Sequence, residues 1–306
     1  MNIIPEDGVM FNGGEMSIVN GKEILIPATE GKYAVGAFNI TNLIQMNAVV
    51  AAHEEMKAPL IIQTSVAPSK FLGQDAVAAA FGAISENASI PICLHLDHCR
   101  EVDYCKSCAD KGWTNIMIDA SRLPFEENIQ QTKQVVDYCH ALGGISVEGE
   151  LGTVSGVEDQ IIVAEDASQL CDPEQALIFI EETGVDLLAP AIGTAHGVYK
   201  TANPKVDFDR FARIANAVNG PKVRVPLVVH GGTGLPADYV LKLVALGGAK
   251  FNVSTDLKHT WINAVYEYIS AHRDEYDPGK LDAHTSKSII EKVKEWIVLF
   301  GSAGKA

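Results

Sequence analysis

Eight short β-rich apolar runs, separated by stretches of helical length, constrain this chain more than any other feature. They run from Tyr33 to Asn39, Pro59 to Ser65, Pro91 to Asp97, Asn115 to Asp119, Ile145 to Glu150, Asp186 to Ile192, Pro226 to His230 and Lys250 to Val253. Near-continuous apolar character suits strands buried on both faces, and strand–helix alternation is the pattern of a parallel sheet with crossover helices. Eight such units predict closure into a single (β/α)8 TIM barrel, an α/β architecture that uses about 250 residues or more as one unit. The 306 residues therefore read as one domain, with the barrel over about 31–270 and a C-terminal loop and helix over 271–306. Helix ends are legible: Asn42 precedes LIQMNAVVAAHEEMKA, and Asp172 with Pro173 opens a helix that Gly184 closes. Two stretches fall outside the alternation. In the first thirty residues, an atypical N-terminal extension, GGEMSIVNGKEILIPA reads as a β-hairpin or a loop; near the other end DEYDPGKLDAHT reads as a loop before a final helix.

Charge removes whole classes of partner. With 24 Lys+Arg against 39 Asp+Glu the net charge is −15, and no basic patch offers a grip on nucleic acid or an anionic membrane surface. The N-terminus has no basic segment leading into an apolar run, and nowhere do about twenty apolar residues stand together, so a cytoplasmic protein is expected. The six cysteines read as reduced thiols. Cys105 and Cys108 form a CxxC, but no second pair follows, and three-residue spacing on a helix makes them core residues.

Ionisable residues cluster where the apolar runs end, which in barrels is the face that carries active sites. The third run ends in His95-Leu96-Asp97-His98 and the fifth in Glu148-Gly149-Glu150; the sixth leads into Gly193-Thr194-Ala195-His196-Gly197 and the seventh ends in His230-Gly231-Gly232. Neutral imidazoles are preferred zinc ligands, and a catalytic site uses three protein ligands with one position left open. His98, His196 and His230 fit that count; His53, His140, His259, His272 and His284 read as helix or loop residues, and His95 as packing or support. Two turns, Gly231-Gly232-Thr233-Gly234 and Asn252-Val253-Ser254-Thr255-Asp256, follow the seventh and eighth runs. Loops there frequently build a phosphate site from backbone N–H groups, with no cationic side chain.

Taken in order, YAVGAFNI, LHLDHC, MIDASRLPFEENI, VEGELGTVSGVED, AIGTAHGVYK, VVHGGTG and NVSTD resemble the class II, metal-dependent ketose-bisphosphate aldolases, which include fructose- and tagatose-bisphosphate aldolases. The resemblance runs from about Tyr33 to the C-terminal LFGSAGKA. It implies that His98, His196 and His230 bind one catalytic zinc ion per subunit, with Glu150 near the metal as an alternate or supporting ligand. It makes Asp97 the acid/base at the C4 hydroxyl and Glu158, on a mobile loop, the residue that moves the proton at C3. Asn252 is implied to contact the enediolate, with Gly197, Gly231, Gly232, Thr233, Ser254 and Thr255 in the phosphate cradle. Asn39 and Ser65, at the ends of the first two runs, complete the expected substrate-binding set. Gly197 and Lys200 also match positions near a monovalent cation in some relatives. The implied reaction is reversible cleavage of a ketose 1-phosphate or bisphosphate to dihydroxyacetone phosphate and an aldehyde, the ion acting as a Lewis acid, in a homodimer or homotetramer.

Three departures bear on the substrate. Ser254 stands where many members have aspartate, and the first thirty residues differ from the usual helix-rich start. Relatives acting on bisphosphates commonly carry a DPR segment whose arginine reaches a neighbouring subunit's distal phosphate, and this chain has Asp277-Pro278-Gly279. An arginine fork gives bidentate recognition that glycine cannot replace. The distal group is therefore expected to be neutral or another anion, such as the sulfonate of 6-sulfofructose 1-phosphate, with Lys280, His284 and Lys287 as candidate contacts. An ordinary fructose- or tagatose-1,6-bisphosphate aldolase is the alternative; a zinc barrel epimerase or hydrolase and a non-catalytic sugar-phosphate sensor are readings of other classes.

Overall fold

The computed structural model describes residues 17–158, 161–163, 169–197, 199, 201, 203–220 and 223–306. All eight predicted runs are strands of one closed parallel barrel: β1 (Val35–Asn39), β2 (Leu60–Ser65), β3 (Ile92–Cys99), β4 (Asn115–Ile118), β5 (Ser146–Leu151), β8 (Leu187–Pro190), β10 (Leu227–Val229) and β11 (Gly248–Val253), with β11 returning to β1. The registers set the mouth of the barrel, since Ser65 lies beside Asp97 and Phe38 beside Val253. Three short strands, β6 (Ser155–Glu158), β7 (Ile161–Val163) and β9 (Ala195–His196), form a separate sheet on loops that leave the barrel after β5 and β8. Gly156 of β6 pairs with His196 of β9, and Glu158 pairs with Ile161. The acidic segment expected as an open loop is thus a β-hairpin in its backbone.

Two apolar layers hold the fold. The larger fills the space between barrel and helices, and includes Cys99, Cys105, Cys108 and Cys139; the CxxC pair is core, on α5 (Val102–Asp110). The smaller lies inside the barrel, where Val35, Ala37, Ile61, Cys93, Leu187, Ala189, Val228 and Ala249 meet Ile24, Leu25 and Ala28. Those last three belong to a helix, α1 (Gly21–Gly31), in the segment expected to be a hairpin or loop. Its cause is local and tertiary together. Asn20 accepts from the Glu23 N–H while the Glu23 side chain accepts from the Asn20 N–H, a capping box that overcomes the unfavourable Pro27 inside the helix. The apolar face is then buried in the barrel.

The C-terminal segment also differs from expectation. Asp277 caps, and Pro278 begins, the helix α11 (Pro278–Phe300), so most of DEYDPGKLDAHT is helical. It packs on α2 (Leu43–Met56), which starts at the predicted cap Asn42, and on α10 (Thr255–Ala271). Trp296 donates to Asp256 at 2.7 Å and the His284 ring lies 5.3 Å from that of Tyr268, which makes α10 and α11 antiparallel. Among the described residues no helix is long and apolar enough to cross a membrane.

Candidate active site and metal centre

His98, His196 and His230 are carried to one place by three different strand ends. Their ring centroids are 4.5 Å apart for His98 and His230, 4.8 Å for His98 and His196, and 5.7 Å for His196 and His230. One ligand atom from each lies within 4.8 Å of the others. His98 has a left-handed backbone, φ 47°, a conformation that a non-glycine residue holds only where its surroundings impose it. Here the β3–β4 register shifts between Leu96 and Cys99, and the His98 N–H donates to Met117 Sδ at 3.3 Å.

Carboxylates surround the imidazoles. Glu150 Oε2 lies 3.4 Å from His230 Nδ1 and 3.7 Å from His98 Nδ1, and Asp119 Oδ2 lies 3.4 Å from His98 Nδ1. On His230 the other nitrogen, Nε2, donates to Glu148 Oε1 at 3.0 Å. Burial and the neighbouring His98 pull the His230 imidazole down, but the hydrogen bond to Glu148 and the nearby Glu150 carboxylate outweigh them and raise its pKa. Burial would likewise raise Asp119, yet His98, Ser121 and Arg100 hold it far below the usual carboxylate range. His230 Nδ1 and Glu150 Oε2 are buried with no hydrogen-bond partner. Buried polar atoms are normally satisfied, and three imidazoles beside a carboxylate are the donor set of a divalent ion such as zinc. The residues fit a metal.

Asp97 is fully buried beside this cluster, its Oδ2 accepting from Asn39 Nδ2 at 2.9 Å and its Oδ1 from Asn252 Nδ2 at 3.0 Å. Gln63 in turn donates to Asn39 Oδ1. The two amides come from β1 and β11, which pair with each other but not with β3, so closure of the barrel aims the carboxylate. On the other side, the loops after β8 and β10 lie against each other. Gly231 has φ 69°, and a Cβ there would run into the Ala195 backbone, so glycine alone permits the approach. The Tyr199 hydroxyl joins the two loops, accepting from Ala195 N–H at 3.0 Å and donating to Gly231 O at 2.8 Å. Thr233 Oγ1, Ser254 Oγ and Asn252 Oδ1 are buried without a protein partner. Thr255 begins the 17-residue α10, whose N-terminal N–H groups favour an anion.

The match to known proteins follows this geometry. The family model of class-II fructose-bisphosphate aldolase matches residues 19–305. The chain belongs to the class-II fructose-bisphosphate aldolase family. The match takes in α1, which the motifs alone left outside. A fructose-bisphosphate aldolase of Geobacillus stearothermophilus is 40% identical over 299 residues, covering 95% of this chain and 99% of that protein. One from Staphylococcus epidermidis is 40% identical over 294 residues, with 95% and 100% covered. Among solved structures, the YdjI aldolase from Escherichia coli K12 superposes with a TM-score of 0.82 at 34% identity, over 94% of this chain and 99% of that one. Membership makes this chain an aldolase, a carbon–carbon lyase of a typically metal-dependent family, and sets aside the epimerase, hydrolase and sensor readings.

Within this aldolase, the predicted residues His98, His196, His230, Glu150, Asp97, Asn39, Ser65, Gly197, Gly231, Gly232, Thr233, Asn252 and Ser254 stand at the ends of the barrel strands or on the segments that follow them, and Thr255 begins α10. The Glu158 side chain and Lys200 lie outside the described residues. Lys280, His284 and Lys287 do not join the cluster. His284 lies twelve residues before Trp296, the contact of Asp256, or about 18 Å along the helix axis, and Lys280 pairs with Glu275. Sequence reasoning missed Asp119, Arg100, Lys250 and the role of Glu148. Asp119 carried a signal, since the fourth run also ends in a carboxylate.

Proposed function

We propose that the protein reversibly cleaves a ketose phosphate to dihydroxyacetone phosphate and an aldehyde. The observation that carries this reading is the three-imidazole cluster beside a buried Asp97 held by two amides. His98, His196 and His230 would hold one divalent ion, zinc by their donor chemistry, with Glu150 alongside. Such an ion supplies Lewis acidity at the carbonyl next to the bond that breaks. Asp97 accepts the proton of the C4 hydroxyl as the C3–C4 bond breaks and the aldehyde leaves; Glu158 delivers a proton to C3, and condensation reverses both transfers. The C1 phosphate rests on the N–H groups of the Gly231–Thr233 turn and of the α10 N-terminus, with Thr233 and Ser254 hydroxyls free to donate, and with Ser65 and Gly197 at the edge. Lys200 and Gly197 are the candidates for a monovalent cation.

Gly279 favours a ketose 1-phosphate whose distal end is neutral or a sulfonate, as in 6-sulfofructose 1-phosphate. The names of the relatives favour fructose 1,6-bisphosphate. In either case the distal contacts come from a second copy, because Lys280, His284 and Lys287 lie on the first turns of α11, away from the Trp296 end that meets Asp256, and α10 leaves Ile262, Tyr266 and Ile269 more than half exposed. A homodimer or homotetramer follows. The test compares kcat/KM for fructose 1,6-bisphosphate, tagatose 1,6-bisphosphate, fructose 1-phosphate and 6-sulfofructose 1-phosphate, with metal analysis of the same sample. Strong preference for either bisphosphate overturns the distal-group reading alone. Full activity after exhaustive chelation overturns the metal reading.

A further inference from the structure

Below the imidazoles, inside the barrel, lies a charged layer that the proposed chemistry does not touch. Lys250 on β11 is fully buried; its Nζ donates to Glu148 Oε2 at 2.9 Å and lies 3.3 Å from His95 Nε2. Glu148 on β5 is equally buried and uses its other oxygen, Oε1, to accept from His230 Nε2 at 3.0 Å. Removing two charges from water is costly, and a buried ion pair is commonly no more stabilising than apolar side chains of the same volume. Stability therefore gives no reason for a lysine at this place, next to the apolar cluster that fills the rest of the barrel.

We propose that Lys250 is a positioning residue of the metal centre: by holding Glu148 against the Nε2–H of His230, it fixes that imidazole in the tautomer and orientation whose Nδ1 faces the other ligands. The inference rests on the proposed metal site. A neutral imidazole has one N–H; with that proton directed to Glu148, the lone pair is on Nδ1, the buried atom 3.4 Å from Glu150 Oε2 that has no hydrogen-bond partner. The carboxylate can hold the ring only if its own plane is fixed, and Lys250 is the donor that fixes it. Outer hydrogen bonds of this kind orient metal-binding histidines and set ligand basicity. The layer is braced from below as well. His95 Nδ1 lies 2.8 Å from Asn115 Nδ2, Ser146 Oγ donates to Asn115 Oδ1, and Ser146 Oγ accepts from the Gly21 N–H of α1. A continuous chain of polar contacts thus runs from the helix that closes one end of the barrel to the histidine at the other.

The test measures Zn2+ affinity by competition with a chromophoric chelator, and the absorption spectrum of the Co2+-loaded protein, for the wild type, Lys250→Met, Glu148→Gln and the double variant, with Tm recorded for each. Lys250→Met is expected to weaken Zn2+ binding about 10- to 100-fold and to shift the Co2+ bands. Because Lys250 acts through Glu148, the double variant is expected to bind no more weakly than Glu148→Gln alone. A folded Lys250→Met protein with wild-type affinity and spectrum overturns the proposal. If Lys250→Met does not fold, a double variant binding tenfold or more weakly than Glu148→Gln overturns it instead. A wild-type protein that binds neither ion overturns the metal site itself, a result distinct from both.

Discussion

Asp97 has both oxygens on side-chain amides, and this arrangement makes its replacement informative. In Asp97→Asn the new amide nitrogen would face an amide donor of Asn39 or Asn252, so the residue loses both its proton chemistry and its alignment. A fall in kcat of about 100-fold or more is expected, with unchanged bound metal by elemental analysis; a variant with kcat near the wild type would remove Asp97 from the reaction. A second buried residue governs acid stability rather than catalysis. His53 on α2 donates through Nδ1 to Val49 O at 2.8 Å, and its Nε2 is buried with no partner. Burial pushes this imidazole down to about 4 against an ordinary 6.5, although the Val49 hydrogen bond opposes the shift. Between those values the unfolded chain binds a proton that the folded chain does not, so stability is lost as pH falls through that window. The loss amounts to roughly 3 kcal/mol by pH 4. Urea midpoints measured from pH 7 to pH 4.5 are expected to fall less steeply for His53→Gln than for the wild type.

At the scale of elements, α1 shows how a readable signal was outweighed. Asn20 with Glu23 three residues on is a helix-start pattern, in a stretch, GGEMSIVNGKEILIPA, that reads as a hairpin or loop. What decides in favour of helix is the apolar interior of the barrel, which gives Ile24, Leu25 and Ala28 a place to be buried. Removing the Leu25 side chain with Leu25→Ala is expected to cost about 2–5 kcal/mol, and Asn20→Ala about 1 kcal/mol through the lost cap, both by denaturant unfolding. If Leu25→Ala costs less than the cap, α1 is not the plug described. The helices at Asn42 and Asp172 were legible because cap and amphipathic face agree. In Asp277-Pro278 the cap was equally present, but the polar run after it hid the first turns of α11.

For the whole molecule, Gly279 concentrates the question of substrate. Its Cβ position meets only Asp277 Oδ1, at 3.2 Å, in a helical conformation open to any side chain, so Gly279→Arg is expected to fold with a Tm no lower than the wild type. On the proposed assembly it would add a charge-assisted fork to the distal site of a second copy and raise kcat/KM for fructose 1,6-bisphosphate about 10- to 100-fold relative to fructose 1-phosphate. An unchanged ratio would remove α11 from substrate recognition. The barrel itself, and the gathering of His98, His196, His230 and Asp97 at one end of it, were legible in the sequence: eight apolar runs alternating with helices suit a closed parallel sheet buried on both faces, and their polar ends then share a rim. Sequence could not show which buried charges are paired. Lys250 and Glu148 are 102 residues apart, and Asp119 meets His98 between the paired strands β3 and β4. Such contacts depend on register and on the inward or outward turn of each side chain, which strand pairing across the closed barrel decides.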